Sequence, residues 1–208
     1  MTPLSAARHV AACVLAAAIA MIALPAPGSA QTSDGRLAVR IYDFSTLDSP
    51  VRATAIEEAR AILTDVGVNT SWHDCAHNET CAPEAGDLVV RIVREIGPAS
   101  AEWRQALGYS VIDPARGAGT LATIYINRVE NSSRHAGAEL SLLLGRAIAH
   151  EVGHLVLHTN EHGLQGLMRP VWTEQEMARN AHDDWVFATS ERRQIRAALQ
   201  RASRSALR

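Results

Sequence analysis

The chain reads as an α+β protein in which a mixed β-sheet packs against one buried helix, with further helices towards the C-terminus. Three features point there. Strand-like and helix-like stretches follow in the order β, α, strands, helices. The strand candidates are short and either alternate or are rich in Val and Ile. A run from about Ala138 to Leu157 is apolar almost all round, which marks a helix buried on every side.

Taken in order, Leu37 to Asp43 alternates apolar and polar side chains and predicts a strand. Ser49-Pro50 then predicts a helix start, with Ser49 as cap and Pro50 in the first turn, where its missing N–H costs nothing. Ala55, Ile56, Ala59, Ile62 and Leu63 recur at helical spacing up to about Val66, and Gly67 is the stop. Val68 to Trp72 predicts a second strand and Asp87 to Arg94 a third. Residues 97–120, with Gly97-Pro98, Asp113-Pro114 and Gly117/Gly119 as breakers, read as loop. Leu121 to Asn127 is a further strand, the Ala138–Leu157 helix follows, and an Arg-bearing tail from Ser190 to Arg208 predicts a last helix. His135 falls in a polar loop in this reading.

Residues 1–30 belong outside the fold. A short segment carrying Arg8 precedes a continuous apolar run, Val10 to Leu24, and the small residues Gly28-Ser29-Ala30 suit cleavage after Ala30. That is the pattern of a secretory signal peptide, and it predicts a secreted or periplasmic protein with one domain over 31–208. No later run reads as long and apolar enough to span a bilayer, so no stable membrane insertion is expected once the leader is gone. With 208 residues and a net charge of −2, nothing in the composition favours nucleic acid as a partner. Cys75 and Cys81 are then the two cysteines left. In an oxidising compartment they predict a local disulfide, with a metal cluster involving His73 and His77 as the rival reading.

The chemistry concentrates in His150-Glu151-Val152-Gly153-His154, inside the buried helix. At about 3.6 residues per turn, His150 and His154 project from one face and can share one metal ion. Glu151 points about 100° away, which makes it a poor ligand but a neighbour of a metal-activated water. Two imidazoles and a carboxylate on an apolar helix are costly unless compensated, and a divalent cation such as Zn²⁺ compensates them. A third ligand is needed. His158 continues the four-residue spacing but would lie about 12 Å along an unbroken helix from His150, too far to converge on one ion. A chain that turns after Leu157 can return His162 instead, so His162 is favoured, leaving His158 to interact with carbonyls at the helix end.

The stretch His150–Pro170 resembles the zincin metallopeptidases, and among them the matrixin-like metzincins, whose long H-E-x-x-H-x-x-G-x-x-H motif precedes a Met-containing turn. His150, Glu151 and His154 match the motif, and Gly166-Leu167-Met168-Arg169-Pro170 is similar to the Met-turn. The family's Gly position falls on Leu157 and its third-His position on Asn160, with His162 two residues later. The resemblance implies a zincin-like fold and peptide-bond hydrolysis of a peptide or protein substrate, with Glu151 as general base. It also implies that Leu121 to Asn127 lies antiparallel to bound peptide. The alternative is a zinc-binding domain without catalysis that recognises a partner. Tyr125, Trp172 and Trp185 are candidate pocket walls, and His182-Asp183-Asp184 a candidate carboxylate support for a ligand, though core packing and a solvated helix end account for them as well.

Overall fold

The computed structural model describes residues 36–76, 81–95, 106–113 and 118–206. The expected leader lies outside them. Five strands form one mixed sheet in the order β2-β1-β3-β5-β4. β1 (Leu37–Asp43), β2 (Thr70–Asp74), β3 (Leu88–Val93) and β5 (Ala118–Tyr125) run parallel, while β4 (Gly108–Asp113) runs antiparallel to β5 and forms one edge. Strands buried on one face want β-branched and apolar residues at alternate positions. Val39, Ile41, Val90, Ile92, Ala122 and Ile124 supply them, each fully or nearly fully buried.

Two helices cover that face. α1 (Ser49–Asp65) buries the Ala55, Ile56, Ala59, Ile62 and Leu63 stripe that its periodicity foretold. Its N-cap is Asp48 rather than Ser49, with no side-chain cap bond, and Gly67 ends it in a left-handed turn at φ 88°. Arg52, buried on the first turns, bonds Asp74 at 2.8 Å, Asp43 at 3.2 Å and the Leu47 carbonyl at 3.0 Å, tying the ends of β1 and β2 to the helix.

α3 (Leu140–Leu157) is the central helix. By length and mean hydropathy (18 residues, 1.3) it could cross a membrane, contrary to the sequence reading, but 78% of it is buried within the protein, which accounts for its apolar surface. Leu143, Leu144, Ile148, Val152 and Leu155 are buried at 1% exposure or less. At about 2 kcal/mol each they contribute on the order of 10 kcal/mol of gross burial, enough to hold polar residues among them. Cys75 and Cys81 form the expected disulfide, their Cα atoms 5.6 Å apart.

Elsewhere the expectations need correction. The segment read as loop over 97–120 contains β4 and the start of β5, paired as an antiparallel hairpin. Gly119 is no breaker there: a Cβ on it would stand 2.5 Å from the Val111 carbonyl oxygen, so it permits close strand approach. β5 stops at Tyr125, and α2 (Ile126–Ala136) begins at the next residue. His135 therefore lies on a helix, exposed, with Nδ1 bonded to the Asn131 carbonyl. β5 is flanked by β3 and β4, so among the described residues Leu121–Asn127 has no open edge, and the edge strand on that side of the sheet is β4. After α3 come α4 (Glu174–Arg179), a 3-10 turn at His182–Asp184 and α5 (Thr189–Ala206).

α1 and α3 touch where Gly145 has no side chain. A Cβ there would lie 2.5 Å from the Ala55 carbonyl oxygen and 2.6 Å from Glu58 Cβ. The helix-propensity gain of alanine, about 1 kcal/mol, is smaller than the cost of forcing the helices apart. Gly145→Ala is expected to destabilise the fold by a net of about 1–3 kcal/mol, read as a lower thermal midpoint; an unchanged midpoint would contradict this packing.

Candidate metal centre

The centre is built on the C-terminal half of α3. Glu139 caps the helix start by accepting the Leu142 N–H at 2.9 Å. The other end stops at His158, which takes the left-handed conformation (φ 55°) and donates its backbone N–H to the His154 carbonyl. A residue with a Cβ rarely adopts this geometry, and helices commonly end with it. The turn reverses the chain, so that Thr159 sits beside the helix and its carbonyl faces back towards His154.

That reversal fixes the imidazoles. His154 Nδ1–H donates to the Thr159 carbonyl at 2.8 Å, and His150 Nδ1–H donates to the Leu167 carbonyl at 2.9 Å. A carbonyl only accepts, so each ring carries its proton on Nδ1 and leaves Nε2 bare. The two bare Nε2 atoms face each other at 3.1 Å. His162, on the exposed loop beyond the turn, brings its ring centroid to 5.3 Å from His150 and 4.8 Å from His154. One nitrogen from each of the three rings lies within 4.8 Å of the others.

This donor set fits a metal ion. Two lone pairs aimed at each other in a buried place repel unless a cation lies between them. Zn–N bonds of about 2.0–2.1 Å at tetrahedral angles put ligand nitrogens about 3.3 Å apart, close to the separation of His150 and His154. Backbone carbonyls bonded to the far ring nitrogens are the usual support of metal-binding histidines. Burial lowers the pKa of His150 to about 3, with His154 and His162 adding to the effect, and that of His154 to about 4. Both rings therefore stay neutral, as ligands must be.

Met168 and Phe187 close the floor. Gly153 lets them in: a Cβ there would stand 2.8 Å from Met168 Sδ and 2.8 Å from Phe187 Cε1. The Leu167 carbonyl that holds His150 also accepts Trp172 Nε1–H at 3.2 Å, and the Trp172 ring meets His150 edge-on at 5.6 Å.

Glu151, 5% exposed, lies on the side of α3 that faces β4. Its Oε2 is 2.8 Å from Ser110 Oγ, and its Oε1 would be 3.0 Å from a Cβ on Gly108. Burial pushes its pKa up to about 7, against the pull of the Ser110 bond. His150, Glu151, His154 and His162 all border a cavity of about 1010 Å³, whose other walls include Tyr109 of β4, Asn131 of α2 and Trp172.

The structure thus brings together His150, Glu151, His154 and His162, and leaves out His158, whose backbone makes the turn. Trp172 borders the cavity. Trp185 is core, under the Arg146 guanidinium at 4.2 Å. His182 and Asp183 are exposed, and Asp184 bonds Arg179 at 2.6 Å rather than supporting a histidine. Sequence reasoning missed Ser110 and Gly108, which lay in the supposed loop. The alternation in Gly-Tyr-Ser-Val-Ile-Asp was the signal for them.

No protein-family model matches the chain, and no curated protein matches it by sequence. Among solved structures, a zinc-dependent peptidase from Methanocorpusculum labreanum superposes with a TM-score of 0.51 at 14% identity, covering 76% of this chain and 99% of that one. High choriolytic enzyme 1, a hatching enzyme zinc-protease from the medaka Oryzias latipes, gives a TM-score of 0.42 at 12% identity over 84% and 94% of the two chains. The α+β fold with its mixed sheet is the one shared with the Methanocorpusculum protein.

The locked tautomers can be read by nitrogen NMR of the metal-free protein. Because burial lowers both pKa values, His150 and His154 are expected to show the neutral Nδ1–H form from about pH 8 down to about pH 5, where an unperturbed histidine is mostly charged. A doubly protonated ring for either residue at about pH 5 would contradict the arrangement.

Proposed function

We propose that the chain is an exported zinc-dependent endopeptidase in which His150, His154 and His162 hold Zn²⁺ and Glu151 is the general base. The observation that carries the reading is the pair of bare Nε2 atoms 3.1 Å apart, with a third imidazole closing on them and a carboxylate alongside. His150, His154 and His162 would hold the ion, which when bound would polarise a carbonyl and make water acidic enough to react near neutral pH.

The chain's own residues do the rest. Glu151 takes the proton of the attacking water and returns it to the amine nitrogen that leaves. Its burial raises its affinity for that proton, so that accepting it near neutral pH is not uphill. Among the described residues β4 pairs only with β5, so its other backbone edge can hydrogen-bond an extended peptide. Gly108 and Ser110 place that edge next to Glu151, and the six-residue strand runs on to Asp113. A peptide laid along it extends to both sides of the bond to be cut, which supports internal cleavage over end-trimming. Trp172 walls the cavity beside His150 and excludes water from one side. Export is supported by the leader-like residues 1–30 and by the Cys75–Cys81 disulfide, which persists in oxidising compartments.

Glu151→Gln is expected to keep stoichiometric zinc while its kcat on a casein-derived peptide mixture falls by about 100- to 10,000-fold; turnover at the parent rate would refute the assignment. For the ligands, dialysed His162→Ala is expected to lose far more zinc than His158→Ala, measured by metal analysis. The reverse order would overturn the role given to His162.

A further inference from the structure

Ser110 connects the open strand to the general base. It lies on β4, in the middle of the edge, and its hydroxyl is 2.8 Å from Glu151 Oε2 and 2.8 Å from the Glu151 main-chain carbonyl oxygen. These contacts bridge two elements far apart in sequence and meet at one residue of α3. On the same strand, Gly108 stands against the other carboxylate oxygen, and the carbonyl of Thr123 only 2.6 Å from its absent Cβ shows how tightly β4 and β5 pack there. The two carboxylate oxygens are therefore treated differently. Oε2 is gripped by a hydroxyl, and Oε1 faces Gly108, which carries no side chain.

The geometry points to Ser110 as a positioning residue for Glu151: it fixes the carboxylate rotamer so that Oε1 is the oxygen offered to the proton in flight. This rests on Glu151 being the general base. A glutamate has three side-chain torsions, and a hydroxyl anchored to a sheet removes most of that freedom before substrate arrives. Because Ser110 belongs to the strand proposed to pair with the peptide, the register of the substrate and the direction of the base are set by one piece of backbone. Ser110 itself need not touch the reacting atoms.

A positioning role separates from a structural one by what it leaves unchanged. Ser110→Ala removes only the hydroxyl, and a lost hydrogen bond to a charged group predicts a kcat about ten- to a hundredfold lower. KM and zinc content are expected to stay at the parent values and the thermal midpoint to fall by no more than about 5 °C, and Ser110→Thr, which restores a hydroxyl, to recover most of the lost rate. A Ser110→Ala enzyme with kcat within about twofold of the parent overturns the inference. So does one whose slower turnover comes with lost zinc or a raised KM, because Ser110 would then act on the fold or on binding. Glu151→Gln measured alongside keeps the two questions apart: if that variant is inert while Ser110→Ala is fully active, the general base stands and only the role of Ser110 falls.

Discussion

The structure depends on where two ring protons sit. Carbonyls of Leu167 and Thr159 hold the Nδ1 protons of His150 and His154, and that alone turns two adjacent side chains into a pair of inward-facing donors. Both carbonyls come from chain that follows α3, so the helix by itself would present two loosely rotating rings. The left-handed turn at His158 brings Thr159 back, and the chain through Gly166 to Met168 brings Leu167 up. Gly166, at φ 73°, passes so close to the Val186 carbonyl that a Cβ would be 2.4 Å from it, and Leu167 N–H bonds the same carbonyl at 2.9 Å. The residues beyond the helix are thus a cradle for the rings, anchored in turn to the segment before α5.

The sheet contributes in a different way. Four parallel strands under α1 and α3 give a rigid floor whose apolar burial supports the polar residues above it. The fifth strand reverses direction and lies next to Glu151. The mixed character of the sheet is thus a functional division: the parallel part supports the helix, and the antiparallel part forms one side of the cavity.

How much of this was legible in the sequence depended on whether a local signal existed. α1 was readable because five small or aliphatic residues repeat on one face and Gly67 ends it. α3 was readable from its apolar run, and the return of His162 from the plain geometry of an unbroken helix. α2 was not. It follows β5 with no connecting residue, its N-cap Tyr125 makes no side-chain cap, and two of its four buried residues are Arg128 and Ser133, so neither a start signal nor an apolar stripe announces it. Only Gly137, left-handed at φ 63°, marked its end. β4 was hidden for a different reason: Asp113-Pro114 and the Gly117/Gly119 pair beside it read as breakers and outweighed its short alternation, whereas in the packed hairpin Gly119 lets the backbones touch. The contact between Ser110 and Glu151 joins residues 41 apart and had no sequence signal.

The irregularity in β4 has a consequence for how the molecule behaves in a crowd. Open strand edges invite self-association, because any extended chain, including a second copy, can add to them, and bulges are one of the ways proteins guard against it. Here the pairing register shifts between Val111 and Asp113, at the end of the strand away from Glu151. The half beside the carboxylate keeps regular pairing with β5, and beyond it the pairing partner slips by one residue. Solubility and access are therefore governed by the same six residues. A change that removed the irregularity would leave a flatter edge, open to a second copy of the chain as readily as to a peptide.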